Sequence, residues 1–335
     1  PMRTRFPFRY GIAAMTELPH VFLHITVNLN GERTDGIASE GLPPKWFTKN
    51  PSTRFEEDLP QMHRALEKAV SFGLNQESES VFSLWQKIYK SQESWANAEK
   101  IPPLLAHLGT SLVERALIDA FCRGTGHSFA EALRTNEFGI ALDSIHPELG
   151  RLDPIEWLPQ EPEKSLIARH TIGLGDALTA NDIEKEELCD DGLPQALDDA
   201  IRYYGLTHFK VKLSGNLESD LLRLKNIAQM LGQLVPEFKF TLDGNEQYPN
   251  VMAFREHWEQ FLKDPILESF LGDSHLLFVE QPIHRDFALH ESVREEIESW
   301  DSGPAMIIDE SDGELDSLRR AIELGYCGTS HKNCK

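Results

Sequence analysis

Long apolar runs, cysteine and positive charge are all scarce in this sequence of 335 residues. It has no run of about 18 apolar residues, the length that a membrane-spanning helix needs. Residues 1–6 also lack the apolar core of a secretory signal. We therefore expect a cytoplasmic protein that has no membrane partner.

The cysteines are too few and too scattered for a disulfide framework in a chain of this length. None of them forms a C-x-x-C pair. Reduced thiols are typical of the cytoplasm, which agrees with the expected compartment. The four residues are Cys122, Cys189, Cys327 and Cys334.

Negative charge dominates, with 54 acidic residues against 33 lysines and arginines and a formal net charge of −21. A nucleic-acid partner requires a basic face, so this balance argues against one. It does not argue against a small anionic substrate. Because charges are screened beyond about 8 Å at physiological salt, a local lysine cluster can outweigh the distant acidic surface.

What is present indicates a globular protein with two parts. Hydrophobic residues make up 40% of the chain, enough to fill a substantial core. Residues 1–55 have a β pattern, with a hairpin turn at Asn30-Gly31. Residues 57–135 have helical periodicity, which stops at Gly124–Gly126. Prolines crowd the connection after residue 136, so we predict one domain over 1–140 and another over 141–335.

In the second part, strand and helix patterns alternate. Such alternation predicts parallel strands joined by crossover helices, as in a (β/α) barrel. The predicted strands are 166–172, 208–213, 238–243, a run ending at 280, 306–309 and 326–332, and the predicted helices are 194–204, 217–234, 251–262 and 315–324.

Three acidic residues end successive apolar strand patterns: Asp243, Glu280 and Asp309. At the carboxyl edge of neighbouring parallel strands, about 4.8 Å apart, their side chains would converge. Unpaired carboxylates in such a place repel one another and lose solvation. A hard divalent cation removes that cost, and all-oxygen ligation favours Mg²⁺.

Lysines accompany these acids. Lys210 and Lys212 stand two apart on one predicted strand and therefore share a face. Two adjacent ammonium groups near a cation predict a depressed lysine pKa, which suits a general base. Lys332, on the sixth strand, would approach from the far side. Bases on both sides of a carboxylate substrate could take a proton from one face of a carbon and return it to the other.

Together these residues resemble the enolase superfamily, within its muconate-lactonizing-enzyme-like and mandelate-racemase-like branch. The resemblance extends to residues 113–126, which are similar to the last helix of that family's capping domain, and to the opening hairpin with Gly31 and Gly36. The motifs that carry it are Asp243-Gly244-Asn245, Val279-Glu280-Gln281-Pro282, Asp309-Glu310-Ser311, Phe209-Lys210-Val211-Lys212-Leu213 and Lys332.

The resemblance implies an α/β fold, a (β/α) TIM-type barrel with an N-terminal α+β capping domain. It implies Mg²⁺ on Asp243, Glu280 and Asp309, and Lys212 as a base with Lys210 beside it. Lys332 is implied as the opposite base or as a cation that stabilises the intermediate, and Lys335 is an alternative for that role. Asn245 and Glu310 resemble supporting partners of the metal ligands.

The implied activity is abstraction of a proton α to a carboxylate through a stabilised enolate. With lysines on both faces, the leading outcome is racemisation or epimerisation of a small carboxylate, such as an amino-acid derivative or dipeptide. A lyase of the acid-sugar dehydratase or cycloisomerase type would use the same enolate, and a relative that only binds a ligand is the third alternative. We expect a homo-oligomer.

Plainer interpretations of the same residues stay open. Strand-end acids can be solvated or can cap helices, as Asp309 before Glu310 could. The lysine pair could face water on an edge strand, and Lys332 could lie on a surface loop. An eight-stranded barrel also requires two more βα units than the sequence shows, so we expect the natural chain to be longer.

Overall fold

Two antiparallel hairpins open the chain in the computed structural model, which describes residues 1–10, 13–272 and 274–333. The second hairpin pairs in unbroken register from His20 opposite Gly41 to Leu29 opposite Glu32. Gly31 makes its tight turn at φ +96°, a conformation that glycine adopts without strain. The predicted hairpin is confirmed. The strands are β1 (Met2–Tyr10), β2 (Ala13–Leu18), β3 (His20–Leu29) and β4 (Glu32–Gly41).

Helices follow the hairpins, as the periodicity predicts, and we call residues 1–134 the cap. Its longest helix has a buried apolar face that includes Leu105 and Leu112, and it ends at Gly126 in the left-handed conformation. The helices are α1 (Pro44–Phe47), α2 (Phe55–Gly73), α3 (Val81–Glu99), α4 (Pro103–Thr125) and α5 (Phe129–Arg134).

The proline-rich connection contains little regular structure. Its turns are short because each proline removes a backbone donor and limits helix propagation. It contains two 3₁₀ turns, Leu142–Ser144 and Pro147–Leu149, and the short helix α6 (Pro154–Trp157). The domain boundary placed between residues 140 and 141 stays a prediction.

Among the described residues of the second part, six parallel strands lie side by side in their order along the chain. A doubly wound sheet would reverse its strand order part-way, whereas sequential order with crossover helices is the arrangement of a (β/α) barrel. The strands are β5 (Arg169–Ile172), β6 (His208–Lys212), β7 (Lys239–Asp243), β8 (Leu276–Glu280), β9 (Met306–Ile308) and β10 (Gly328–Thr329).

Helices connect these strands at nearly the predicted positions, and the helix predicted over 217–234 has those bounds. The helices are α7 (Leu197–Tyr204), α8 (Leu217–Leu234), α9 (Val251–Phe261), α10 (Pro265–Phe270), α11 (Arg285–Ala288), α12 (Ser292–Glu298) and α13 (Ser317–Glu323). No helix in the described ranges is both long and apolar enough to cross a membrane.

The outermost strands are shorter than predicted. The apolar run at 166–168 precedes β5, and Leu166 there is 90% exposed. The last strand, β10, ends at Thr329, so Lys332 follows a strand and does not end it. Both strands have only one neighbour among the described residues, so fewer ladder hydrogen bonds hold their ends in extended form.

Alternation along the strands positions the site. On β6, Phe209 and Val211 are fully buried among the core side chains, which places Lys210 and Lys212 on the opposite face. On β7, Phe240 and Leu242 are fully buried in the same core, and Asp243 ends the strand.

Candidate active site

The strand register brings the predicted residues side by side. Lys212 is the register partner of Asp243, and Asp243 is the partner of Glu280 on the next strand. Asp309 comes directly after β9, which pairs with β8. All three acids are buried, with Glu280 only 1% exposed. The interpretation of these acids as solvated strand ends is therefore wrong.

Lys210 joins two of the acids. Its Nζ lies 2.9 Å from Asp243 Oδ2 and 2.7 Å from Glu280 Oε2. Lys212 Nζ lies 3.1 Å from the same Asp243 oxygen. The lysine pair therefore faces buried carboxylates, and the interpretation of an edge strand that shows lysines to water is wrong.

The electrostatics of Lys210 differ from the expectation of a depressed pKa. Burial disfavours its ammonium form, but the Asp243 and Glu280 carboxylates outweigh burial and raise its pKa. The expectation counted the neighbouring lysine and a cation. In the structure, two carboxylates are the closest charges, and opposite charges favour the ammonium form.

Asp309 has a different cationic partner, because its carboxylate forms an ion pair with Lys332. The Lys332 Nζ also lies 5.6 Å from the centre of the Trp46 ring, which comes from the cap. Lys332 is therefore directed at the acids, although it lies beyond the end of β10. The competing residue, Lys335, lies outside the described residues.

Asn245 supports both kinds of group. Its amide oxygen accepts a 2.7 Å hydrogen bond from Lys212 Nζ, and its backbone N–H donates to Asp243 Oδ1 at 2.9 Å. Burial would raise the pKa of Asp243, but Lys212 and Lys210 lower it below its usual value. Asp243 is therefore ionised at neutral pH. Glu310 is buried too. Its pKa is raised to about 7, mainly by burial and secondly by the nearby Glu246 carboxylate.

Gln281 connects the loops that carry two of the acids. Its Oε1 accepts from the backbone N–H of Asp309 at 2.6 Å and of Ser311 at 3.1 Å. Its Nε2 donates to Ser311 Oγ at 2.8 Å. No sequence pattern assigns a role to Gln281, and only its position directly after Glu280 indicates one.

Backbone conformation at these strand ends is unusual. Asn245, Glu246 and Gln281 all have positive φ, at 49°, 61° and 36°. Residues other than glycine rarely adopt such values, and they concentrate at functional sites. The loops after β7 and β8 therefore store strain where the buried acids lie.

The donor set fits a hard divalent cation. Both oxygens of the Glu280 carboxylate are buried without a hydrogen bond, and Oε2 has its ion pair with Lys210. Buried carboxylate oxygens are ligands that Mg²⁺ prefers. Across the described part of the chain, however, no three acidic, histidine or cysteine side chains are placed as a ready set of ligands. Lysine ammonium groups lie against the carboxylates.

The cap contributes residues to the site that no sequence motif indicates. Trp46 lies over Lys332, and Lys49 forms an ion pair with the buried Glu246 carboxylate. Arg285, just after the Glu280 strand, also binds Glu246. None of these residues belongs to a strand-end pattern, so no sequence signal distinguishes them from ordinary surface residues.

Comparison with known proteins places this arrangement in a fold. No protein-family model matches the chain, and no curated protein sequence matches it. Solved structures do match over nearly its whole length. A mandelate racemase/muconate lactonizing protein from Herpetosiphon aurantiacus is 20% identical with a TM-score of 0.57, and the match spans 96% of this chain and 68% of the other.

Two further structures are similar. A muconate lactonizing enzyme from Pseudomonas fluorescens, complexed with muconolactone, is 17% identical with a TM-score of 0.59, over 96% of this chain and 67% of the other. An enolase from P. fluorescens Pf0-1, with bound magnesium, potassium and tartrate, is 14% identical with a TM-score of 0.50, over 95% and 64%.

The sequential parallel strands and the N-terminal α+β unit define a capped (β/α)-barrel protein. Its fold is that of the mandelate racemase/muconate lactonizing structures to which it is similar, as the motif resemblance predicts.

Proposed function

We propose that this chain is an enolase-superfamily enzyme that removes a proton α to the carboxylate of a small substrate in an Mg²⁺-dependent reaction. The observation that carries the proposal is the cluster of Lys210, Lys212, Asp243 and Glu280. Lys212, Asp243 and Glu280 are buried, and the Lys210 side chain is 15% exposed. The cluster lies at the carboxyl edge of adjacent parallel strands and combines amines with acids. A surface charge pair would need neither this burial nor this register.

Asp243, Glu280 and Asp309 are the residues that would hold Mg²⁺. When bound, the ion supplies positive charge that polarises the substrate carboxylate and stabilises the enolate. Asn245 holds Asp243 through its backbone N–H, and Gln281 holds the Asp309 loop through its amide. These contacts fix the direction of the acids before any ligand arrives.

Lys212 is the proposed base on one face of the substrate. Its hydrogen bond to Asn245 fixes the position of Nζ, and its burial keeps bulk water from competing for the proton. Lys332 is the proposed acid on the other face, because three strands separate β6 from β10 in the sheet. Removal of a proton by Lys212 and its return by Lys332 would invert the carbon, which is racemisation or epimerisation.

A second candidate is a cycloisomerase or another lyase. The similar solved structures include a muconate lactonizing enzyme and a muconate cycloisomerase variant, the latter with a TM-score of 0.54. A lyase would use the same base and enolate but would expel a group from the neighbouring carbon.

Deuterium incorporation tests the proposal. Dipeptides, N-acyl amino acids and acid sugars are incubated in D₂O with Mg²⁺ and followed by NMR and mass spectrometry. Label at the α-carbon of otherwise unchanged substrate, together with its epimer, supports epimerisation. Loss of water or ring closure supports the lyase. No exchange with any acid in the panel, with and without Mg²⁺, contradicts an enzyme of either kind for these substrate classes.

Substitution of the base gives the first residue-level prediction. Lys212→Ala should slow exchange by about 10²–10⁴-fold, because the proton loses its acceptor. Lys225→Ala is the matched control, since Lys225 also pairs with an aspartate, Asp264, but on the outer helix α8. Its exchange rate should stay within about twofold of the wild type. An unchanged rate in Lys212→Ala would remove Lys212 from the mechanism.

A further inference from the structure

A buried carboxylate joins the cap to the barrel. Glu246 has a fully buried side chain, and two cations share it. Arg285 Nε lies 2.7 Å from Glu246 Oε1, and Arg285 Nη2 lies 2.8 Å from Oε2. Lys49 forms an ion pair with the same Oε2 from the cap side. We call cap residues 43–50 the strap.

The two cations also bind backbone across the contact. Arg285, in the barrel, donates from Nη2 to the Trp46 carbonyl at 3.0 Å and from Nη1 to the Phe47 carbonyl at 3.3 Å. Lys49, in the strap, donates to the Asn245 carbonyl at 2.9 Å. The strap is therefore held in both directions, by a barrel cation on its carbonyls and by its own cation on a barrel loop.

This network lies two contacts from the proposed base. Lys49 binds the Asn245 carbonyl, and the Asn245 side chain accepts from Lys212 Nζ at 2.7 Å. Asn245 and Glu246 are both held at positive φ, so their loop needs surrounding contacts to keep its shape. The strap also carries Trp46, whose ring lies over Lys332.

We propose that Glu246, with Lys49 and Arg285, is a positioning residue that locks the strap over the barrel and thereby fixes Asn245 and Lys212. The inference rests on the proposed function for the role of Lys212, but the lock itself is a property of the apoprotein. A surface ion pair would contribute little. This one is desolvated, so removal of one partner leaves a buried charge without full compensation.

Hydrogen–deuterium exchange of the whole protein tests the lock without any substrate. In Lys49→Met, peptides that cover the strap and peptides that cover residues 244–248 should both exchange about tenfold faster than in the wild type. Lys49→Arg keeps the charge and should restore the wild-type rates at both places. Glu246→Gln should open the same two regions.

Arg64→Met is the matched control, because Arg64 pairs with Glu99 at 3.0 Å on the exposed surface of the cap. Its strap exchange should equal that of the wild type. Unchanged strap exchange in both Lys49→Met and Glu246→Gln would overturn the lock. Faster exchange in the strap together with a wild-type exchange rate at residues 244–248 would overturn the link to Lys212. Neither result depends on whether the deuterium-incorporation assay finds a substrate.

Discussion

At the scale of single residues, burial decides which groups are charged. His107 on α4 is 2% exposed, stacks on Tyr89 with ring centres 3.9 Å apart, and has its Nδ1 3.1 Å from Thr110 Oγ1. Burial lowers its pKa to about 4. His107 therefore stays neutral in the folded protein well below the pH at which it protonates in the unfolded chain.

The stability of the cap should consequently fall in acid. Because the folded pKa is below the unfolded value of 6.5, the contribution of His107 is complete above pH 6.5 and is lost as the pH falls towards 4. Between pH 7 and pH 4 this loss should lower the free energy of unfolding by about 3 kcal/mol. It should be absent in His107→Phe, which keeps a ring against Tyr89.

Chemical unfolding at pH 7 and pH 4 measures this difference. His63→Phe is the control, because His63 is exposed on α2 and its removal should leave the acid-dependent loss in place. If His107→Phe loses as much stability between the two pH values as the wild type, burial of His107 does not drive the acid sensitivity.

In the candidate site, neighbouring charges outweigh burial. From the sequence, two adjacent lysines indicated a lowered pKa, yet the pKa of Lys210 is raised because Asp243 and Glu280 lie within ion-pair distance. The spacing of Lys210 and Lys212 places them on one face. Only the register of β6, β7 and β8 determines which carboxylates they meet.

At the scale of elements, close packing between β4 and α4 depends on the absence of a side chain. A Cβ on Gly36 would overlap the carbonyl oxygen of Ala116 and the backbone nitrogen of Ala120. The contact is backbone against backbone, so no rotamer change can relieve it. Gly36 therefore fixes the approach of the second hairpin to the longest cap helix.

Gly36→Ala should destabilise the protein by about 3 kcal/mol, because the hairpin or α4 must move. Gly232→Ala is a control of opposite sign. Gly232 lies on the exposed face of α8 with nothing near its Cβ position, so alanine there should stabilise by about 0.5–1 kcal/mol. Thermal unfolding of the two variants compares them. A neutral Gly36→Ala would show that the contact relaxes easily.

At the scale of the whole molecule, the buried acids connect metal binding to stability. A ligand that binds only the folded state stabilises it in proportion to the logarithm of its concentration. At a hundred times its dissociation constant, Mg²⁺ should add about 2.7 kcal/mol to the free energy of unfolding and raise Tm by about 4 °C. Chelation with EDTA should reverse the rise.

Two controls separate Mg²⁺ binding from charge screening. They are needed because any salt screens the repulsion within a chain of net charge −21. NaCl at equal ionic strength should give a smaller rise in Tm than MgCl₂. Glu280→Gln should lose the additional effect of Mg²⁺ while it keeps the effect of NaCl. Equal responses of the wild type and Glu280→Gln to Mg²⁺ would argue against a metal site at Glu280.

The sequence alone determined the kind of fold and the strand ends at which the acids lie. Alternating apolar strands and helices predict parallel βα units because hydrophobic periodicity follows local backbone geometry. That is why α8 and the position of Asp243 at the end of β7 agree with the prediction.

Tertiary structure decided the rest. Gln281 binds the Asp309 loop, and Lys49 and Arg285 pair with Glu246, although these residues are distant in sequence. The ends of β5 and β10 likewise depend on which strands lie beside them. Hydrophobic periodicity does not predict such contacts, because they form only when separate elements pack together. Local pattern therefore places the acids on strand ends, and packing selects the cations that accompany them.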